Sequence, residues 1–223
     1  MARRSWLVPA AVAAGLLPLA KLAFDGATGG LGANPIQALL DRLGFWTLAM
    51  LTATLAAGPL NAQLGLAWPL RVRRALGLLT FGYAALHLVA YAGVDQALDL
   101  RAILADVVKR PFITVGFATF LVLLPLALTS TDAWVRRLGF RRWKRLHRLA
   151  YLAALGGVVH FIWRVKADLR QPALFALALG LLLLARLLPR RPAARTAGRA
   201  GNAPRPRSGG EGGAAVGDTR PAA

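Results

Sequence analysis

Arg141–Trp163 reads RRWKRLHRLAYLAALGGVVHFIW, a run dense in Arg and Lys that passes without a break into the uncharged block Leu149–Trp163. A basic cluster abutting an apolar block is how a helix leaves a membrane surface, because the cations stay with water and headgroups while the apolar turns enter lipid. The stretch also holds two of the chain's only three histidines, His147 in the basic part and His160 deep in the apolar part. Outward from it, the 223-residue chain, 57% hydrophobic, carries five more such blocks: Trp6–Phe24, Gly44–Leu60, Ala75–Val94, Phe112–Leu128 and Pro172–Leu188. Several lie near the lower limit of about 17 residues for a span, so their ends are expected to run on into the flanking amphipathic turns. The fold class is therefore all-α, a polytopic membrane bundle of about six transmembrane helices.

Basic residues gather in alternate connections. Arg3 and Arg4 precede the first block, Arg71, Arg73 and Arg74 lie between the second and third, and seven cations from Arg136 to Arg148 lie between the fourth and fifth. The other connections are close to balanced: Asp25 and Asp41 offset Arg42, and Asp95, Asp99 and Asp106 offset Arg101, Lys109 and Arg110. Arg164–Gln171 departs mildly, with three basic residues against Asp168. By the positive-inside rule both termini are cytoplasmic. The start of the chain has the basic and apolar regions of a signal segment, yet the charge alternation requires the first helix to be retained.

The net charge of +19 borders apolar spans rather than forming a separate basic domain. This points to anionic lipid headgroups and away from nucleic acid. Residues 1–188 form the transmembrane domain, and the Gly-, Ala-, Pro- and Arg-rich tail 189–223 has the composition of a disordered cytoplasmic segment. The absence of cysteine excludes disulfides, thiolate metal sites and thioether-linked haem.

This division leaves every acidic residue in a connection or the tail, whereas His87 and His160 fall inside the third and fifth blocks. An ionisable group at that depth is costly and marks function, although a neutral histidine bonded between helices is the competing reading for either one alone. The two together say more. Both helices run outward from the cytoplasm, and the histidines lie about 12 and 11 residues in, roughly 16 to 18 Å from the inner end at 1.5 Å per residue. Facing imidazoles in a bundle, with no carboxylate or thiolate beside them, suit the two axial positions of a b-type haem better than a four-ligand zinc site.

Gly156 and Gly157 share the face of His160 and either leave room for a macrocycle or let helices pack closely. His147, about 20 Å nearer the cytoplasm, serves an inner cofactor or belongs to a solvated basic loop. At its depth on the third helix stand Arg73 and Arg74, with Arg73 closer to the face of His87. Arginine is a poor iron ligand, but it can hold a haem propionate or a flavin phosphate. Trp134, Trp143 and Trp163 lie near span ends, as an interfacial belt would place them.

The segments RRALGLLTFGYAALHLVAY, RPFITVG, LPLALTS and WKRLHRLAYL, in this order with histidines at 87, 147 and 160, resemble the MsrQ (YedZ) family within the ferric reductase and NADPH oxidase transmembrane group. The resemblance covers about residues 71–188; the first two spans and the tail match in character only. It implies a b-type haem subunit of the bacterial inner membrane, one that carries electrons rather than reducing the sulfoxide itself. The implied donor is quinol, and the implied acceptor is the periplasmic molybdopterin enzyme MsrP, which repairs methionine sulfoxide in oxidised proteins. One haem is implied at His87 and His160, with a second haem or FMN as further candidates near His147 and Arg73. The histidine that the wider oxidase group has opposite the inner ligand is missing, and electrons are expected from a separate donor.

A proton-coupled transporter and a non-redox membrane anchor are the rival readings. The first calls for a carboxylate or a broken helix at the midplane, and the second leaves His87 and His160 without a purpose. The orientation is directly testable. A reporter fused after Arg191 is expected in the cytoplasm and one inserted near Asp99 outside it; a periplasmic C-terminus refutes the reading.

Overall fold

The computed structural model describes residues 6–165 and 167–189. Arg3, Arg4, Lys166 and the tail beyond Pro189 lie outside the described residues, and with them nearly all of the segment expected to be disordered. Within the described residues the regular structure is entirely helical, and six helices are long and apolar enough to cross a membrane. In chain order they are α1 (Leu7–Ala27), α2 (Pro35–Leu64) and α3 (Trp68–Val89), the last continued by a π-helical turn, Ala90–Asp95. The amphipathic α4 (Leu100–Lys109) precedes α5 (Pro111–Leu128). Two short helices, α6 (Asp132–Leu138) and α7 (Phe140–Leu146), lead into α8 (Leu149–Arg164), and α9 (Arg170–Leu187) is the last.

Local chemistry sets these bounds. At the start of α2 the Asn34 side chain accepts from the Gln37 N–H at 3.1 Å, and Pro35 occupies the first turn, where no N–H is needed. At its end Gly65 adopts φ +69°, the left-handed conformation that closes helices cheaply only at glycine. The 30-residue α2 thus begins nine residues before the apolar block Gly44–Leu60, carrying Gln37, Asp41 and Arg42 within it. A block defined by hydropathy stops where polar residues begin, while a helix continues until its caps.

Two expectations are corrected here. Asp25 and Asp41 are not connection residues but lie in α1 and α2. Asp25 is buried, accepts from Lys21 one turn earlier at 2.8 and 2.9 Å, and pairs with Arg42 of α2. Pairing offsets the charge and stitches the two helices, which composition cannot reveal. The segment between the third and fourth spans is likewise a helix rather than a plain loop. Asp99 caps α4 by accepting from Arg101 and Ala102, after two residues at positive φ, Ala97 (48°) and Leu98 (61°). Non-glycine residues rarely adopt this conformation, so the turn into α4 is held there by its neighbours.

α2 is the shared wall of two cores. On one side Leu22, Leu43, Met50, Tyr83 and Ala90 join it to α1 and α3. On the other, Leu48, Leu51 and Leu55 meet Leu123, Ala153, Ala154, Val158 and Leu179 of α5, α8 and α9. Ala153 and Ala154 are almost fully buried, as expected where helices associate through close packing rather than by expelling water. Polar groups in the spans are satisfied locally: Thr47, Thr52, Thr54, Thr80 and Thr119 each donate to the carbonyl four residues back. Tyr83, 2% exposed, donates to the Gly15 carbonyl at 2.7 Å, a cross-helix bond contributing about 1 kcal/mol.

A paired-histidine cavity

Two side chains reach from different helices into one cavity of about 900 Å³ between α2, α3, α4, α5 and α8. One is His87, near the end of α3; the other is His160, near the end of α8. Their ring centroids are 6.2 Å apart and their planes cross at 87°.

Each ring is aimed by the same device. The Nδ1 of His87 lies 3.0 Å from the Leu40 carbonyl of α2, and that of His160 lies 2.6 Å from the Phe112 carbonyl of α5. A carbonyl oxygen only accepts, so in both rings Nδ1 carries the proton and Nε2 keeps its lone pair. A helical carbonyl is usually screened by the side chain one turn further on, but here that residue is glycine. A Cβ on Gly44 would stand 3.3 Å from His87 Cε1, and one on Gly116 would stand 2.7 Å from His160 Nδ1. Sequence reasoning missed both glycines. Their signal was a glycine inside each helix that precedes a histidine-bearing span.

Gly156 and Gly157 divide between the two readings given for them. Gly157 lines the cavity, where an added Cβ would meet Leu48 at 3.2 Å, whereas Gly156 packs against Thr119 of α5 so closely that a Cβ there would collide with its hydroxyl.

The rest of the cavity is graded in polarity. Leu48, Leu51, Phe117, Phe120, Leu123 and Ala153 form an apolar wall, while Asp41, Tyr91, Arg110 and Arg164 line the other end. Two carboxylates line it among the described residues: Asp41, near the start of α2, pairs with Arg164, and Asp95, at the end of the π-helical turn, accepts from Gln96 at 2.9 Å. Nearby Asp106 pairs with Arg110 at 3.2 Å and accepts from Tyr91 at 3.1 Å. Both lining carboxylates stand toward helix ends, whereas a proton-coupled transporter calls for one at mid-span. Ile103 and Val107 of α4 close one side, so the unexpected helix covers the histidines.

Among the described residues no group of three or more His, Cys, Asp or Glu gathers as a metal cage. Two imidazoles fall short of the three or four protein ligands of a zinc site, whereas a haem would supply the remaining donors itself. Two metal–nitrogen bonds of about 2 Å, together with the radii of the two rings, roughly account for the 6.2 Å between centroids. A haem therefore fits the donors, the spacing and the amphipathic walls.

His147 stands at the other end of the bundle. It caps α7, with Trp143 stacked on it at a centroid distance of 4.0 Å. Its Nδ1 is 3.2 Å from the Trp143 carbonyl and its Nε2 is 3.5 Å from Ser130 Oγ, a long contact because that hydroxyl already donates to Leu126. Trp143 is held in turn by an indole bond to the Thr129 carbonyl at 2.9 Å. The adjacent arginines differ: Arg74 is exposed and pairs with Asp132 at 2.7 Å, while Arg73 is half-buried. Arg186, not singled out from the sequence, donates to the Leu55 carbonyl at 2.8 Å and lies over the Tyr151 ring. Neither His147 nor Arg73 lines the large cavity or the groove between α1 and α3.

A family model described as ferric reductase like transmembrane component matches residues 43–158, from α2 to the turn before His160. The protein-methionine-sulfoxide reductase heme-binding subunit MsrQ of Rhodospirillum rubrum is 53% identical over 174 residues, 78% of this chain and 84% of that protein. The protein of the same name from Deinococcus radiodurans is 50% identical over 191 residues, 84% and 94% of the two chains. That from Brucella anthropi is 44% identical over 190 residues, 85% and 84%.

The glycine gap predicts a specific sensitivity. Gly116→Ala pushes His160 off the Phe112 carbonyl and is expected to weaken haem retention about tenfold or more, equivalent to roughly 1.4 kcal/mol. Gly82→Ala, where nothing lies within 4 Å of an added Cβ, is expected to be silent. Haem transfer to an excess of apomyoglobin measures both; equal retention refutes the gap.

Proposed function

The chain belongs to the MsrQ family of protein-methionine-sulfoxide reductase heme-binding subunits, and on that premise we propose that it is the membrane electron-transfer subunit of such a system. It takes electrons from quinol in the bacterial inner membrane and passes them to a periplasmic molybdopterin reductase, MsrP, for repair of oxidised periplasmic proteins. The observation that carries the reading is the pair His87 and His160, each with Nδ1 committed to a carbonyl and Nε2 left to bind.

The haem supplies a reversible one-electron centre; the remaining work falls to the protein. His87 and His160 would hold the haem iron through Nε2, and their carbonyl bonds fix each ring and would raise its basicity as a ligand. The apolar wall keeps water from the macrocycle, and α4 covers the cavity on one side. With the basic connections facing the cytoplasm, this cavity sits in the outer half of the membrane, within reach of a periplasmic acceptor, and anionic lipids contact the inner rim.

At the inner end, His147 and Arg73 serve electron entry. They are positioned either for a second haem with one histidine ligand or for FMN, with Arg73 donating to the phosphate. Support comes from the half-buried position of Arg73, while neighbouring Arg74 is exposed and paired with Asp132.

His87→Ala and His160→Ala are each expected to remove most of the bound haem while the protein still inserts, because insertion depends on the apolar helices. His147→Ala and Arg73→Ala are expected to slow reduction by quinol yet leave the His87–His160 haem reducible by dithionite. Soret absorbance per chain, followed by sequential quinol and dithionite titration, reads both effects. A full haem complement in the first two variants overturns the axial assignment; unchanged quinol reduction in the second two removes the inner site.

A further inference from the structure

The ion pair Asp41–Arg164 joins α2 to α8 at the polar end of the histidine cavity, and both residues line it. Asp41 directly follows Leu40, whose carbonyl accepts the Nδ1–H of His87. Arg164 lies four residues after His160, one turn along the same face of α8. A single contact therefore links the backbone that aims one imidazole to the helix that carries the other. We infer that Asp41 and Arg164 are positioning residues that hold the two imidazoles in register and balance the charge felt between them.

This rests on the haem reading. The side chains are 42% and 26% exposed, and an exposed pair contributes little to stability, so the helices do not need it to pack. Its leverage is local. The Arg164 charge reaches both rings and the Asp41 charge reaches His87. The other charges lining this end are Asp95 and Arg110, and the latter is engaged with Asp106. Paired, Asp41 and Arg164 largely cancel; removing either leaves its partner uncompensated beside a centre whose oxidised form carries the extra positive charge.

The inference gives opposite signs. Arg164→Gln leaves a carboxylate that favours the oxidised centre and lowers its midpoint potential, whereas Asp41→Asn leaves a guanidinium that raises it. The double variant Asp41→Asn/Arg164→Gln returns toward the wild-type value. The exchanged pair, Asp41→Arg/Arg164→Asp, regains retention where a single variant releases haem. A pair that served only to hold helices together would shift both single variants the same way.

The experiment is a redox titration of the purified full-length protein and these variants, with haem occupancy from the Soret band and His87→Ala as the reference for a broken site. Opposite shifts with recovery in the double variant support the inference. Potentials that move in one direction or stay put in haem-loaded variants, or retention that the exchanged pair does not regain, overturn it while leaving the haem reading intact. A wild-type protein that takes up no haem overturns both.

Discussion

An imidazole inside a membrane bundle must place its N–H on an acceptor, and the backbone carbonyls around it are already committed to their own helices. Much of this structure follows from the solution to that constraint. A second lone pair on a helical carbonyl becomes reachable when the residue one turn later is glycine, as Gly44 exposes Leu40 to His87 and Gly116 exposes Phe112 to His160. The acceptors precede their histidines by 47 and 48 residues, so the pairs α2–α3 and α5–α8 repeat one arrangement. Two such pairs, joined through the packing of α2 against α8, bring two identically prepared nitrogens to one cavity.

The two ends of the bundle are built differently because their solvents differ. At the histidine end the charges are paired, Asp41 with Arg164 between α2 and α8 and Asp106 with Arg110 one turn on, and α4 folds over the opening. At the His147 end cations outnumber carboxylates, and Arg186 relies instead on the Leu55 carbonyl and the face of the Tyr151 ring. An excess of guanidinium groups suits anionic headgroups or an anionic cofactor better than an empty apolar interior.

The sequence made the six spans and the matched depth of His87 and His160 legible, because hydropathy and a fixed rise per residue are one-dimensional quantities. It also separated Arg73 from Arg74 by face. What it concealed was pairing. Asp25 and Asp41 read as surface charges because their partners, Arg42 across a turn and Arg164 more than a hundred positions away, come together only in the folded chain. Gly116 stood inside the quoted RPFITVG segment, but its importance depends on which carbonyl it uncovers. Trp143 was assigned to the interfacial belt, while the structure adds its stack on His147. The helix α4 escaped notice because its ten residues fall well short of a span.

The central claim is that one iron is held by His87 and His160 together, with ring planes near perpendicular. Electron paramagnetic resonance of the oxidised, purified protein tests it most directly. Crossed imidazole planes leave two iron d orbitals nearly degenerate, so the account predicts a highly anisotropic low-spin signal that is absent when either histidine is replaced. A wild-type protein without that low-spin signal, or a low-spin signal that survives both replacements, would contradict it.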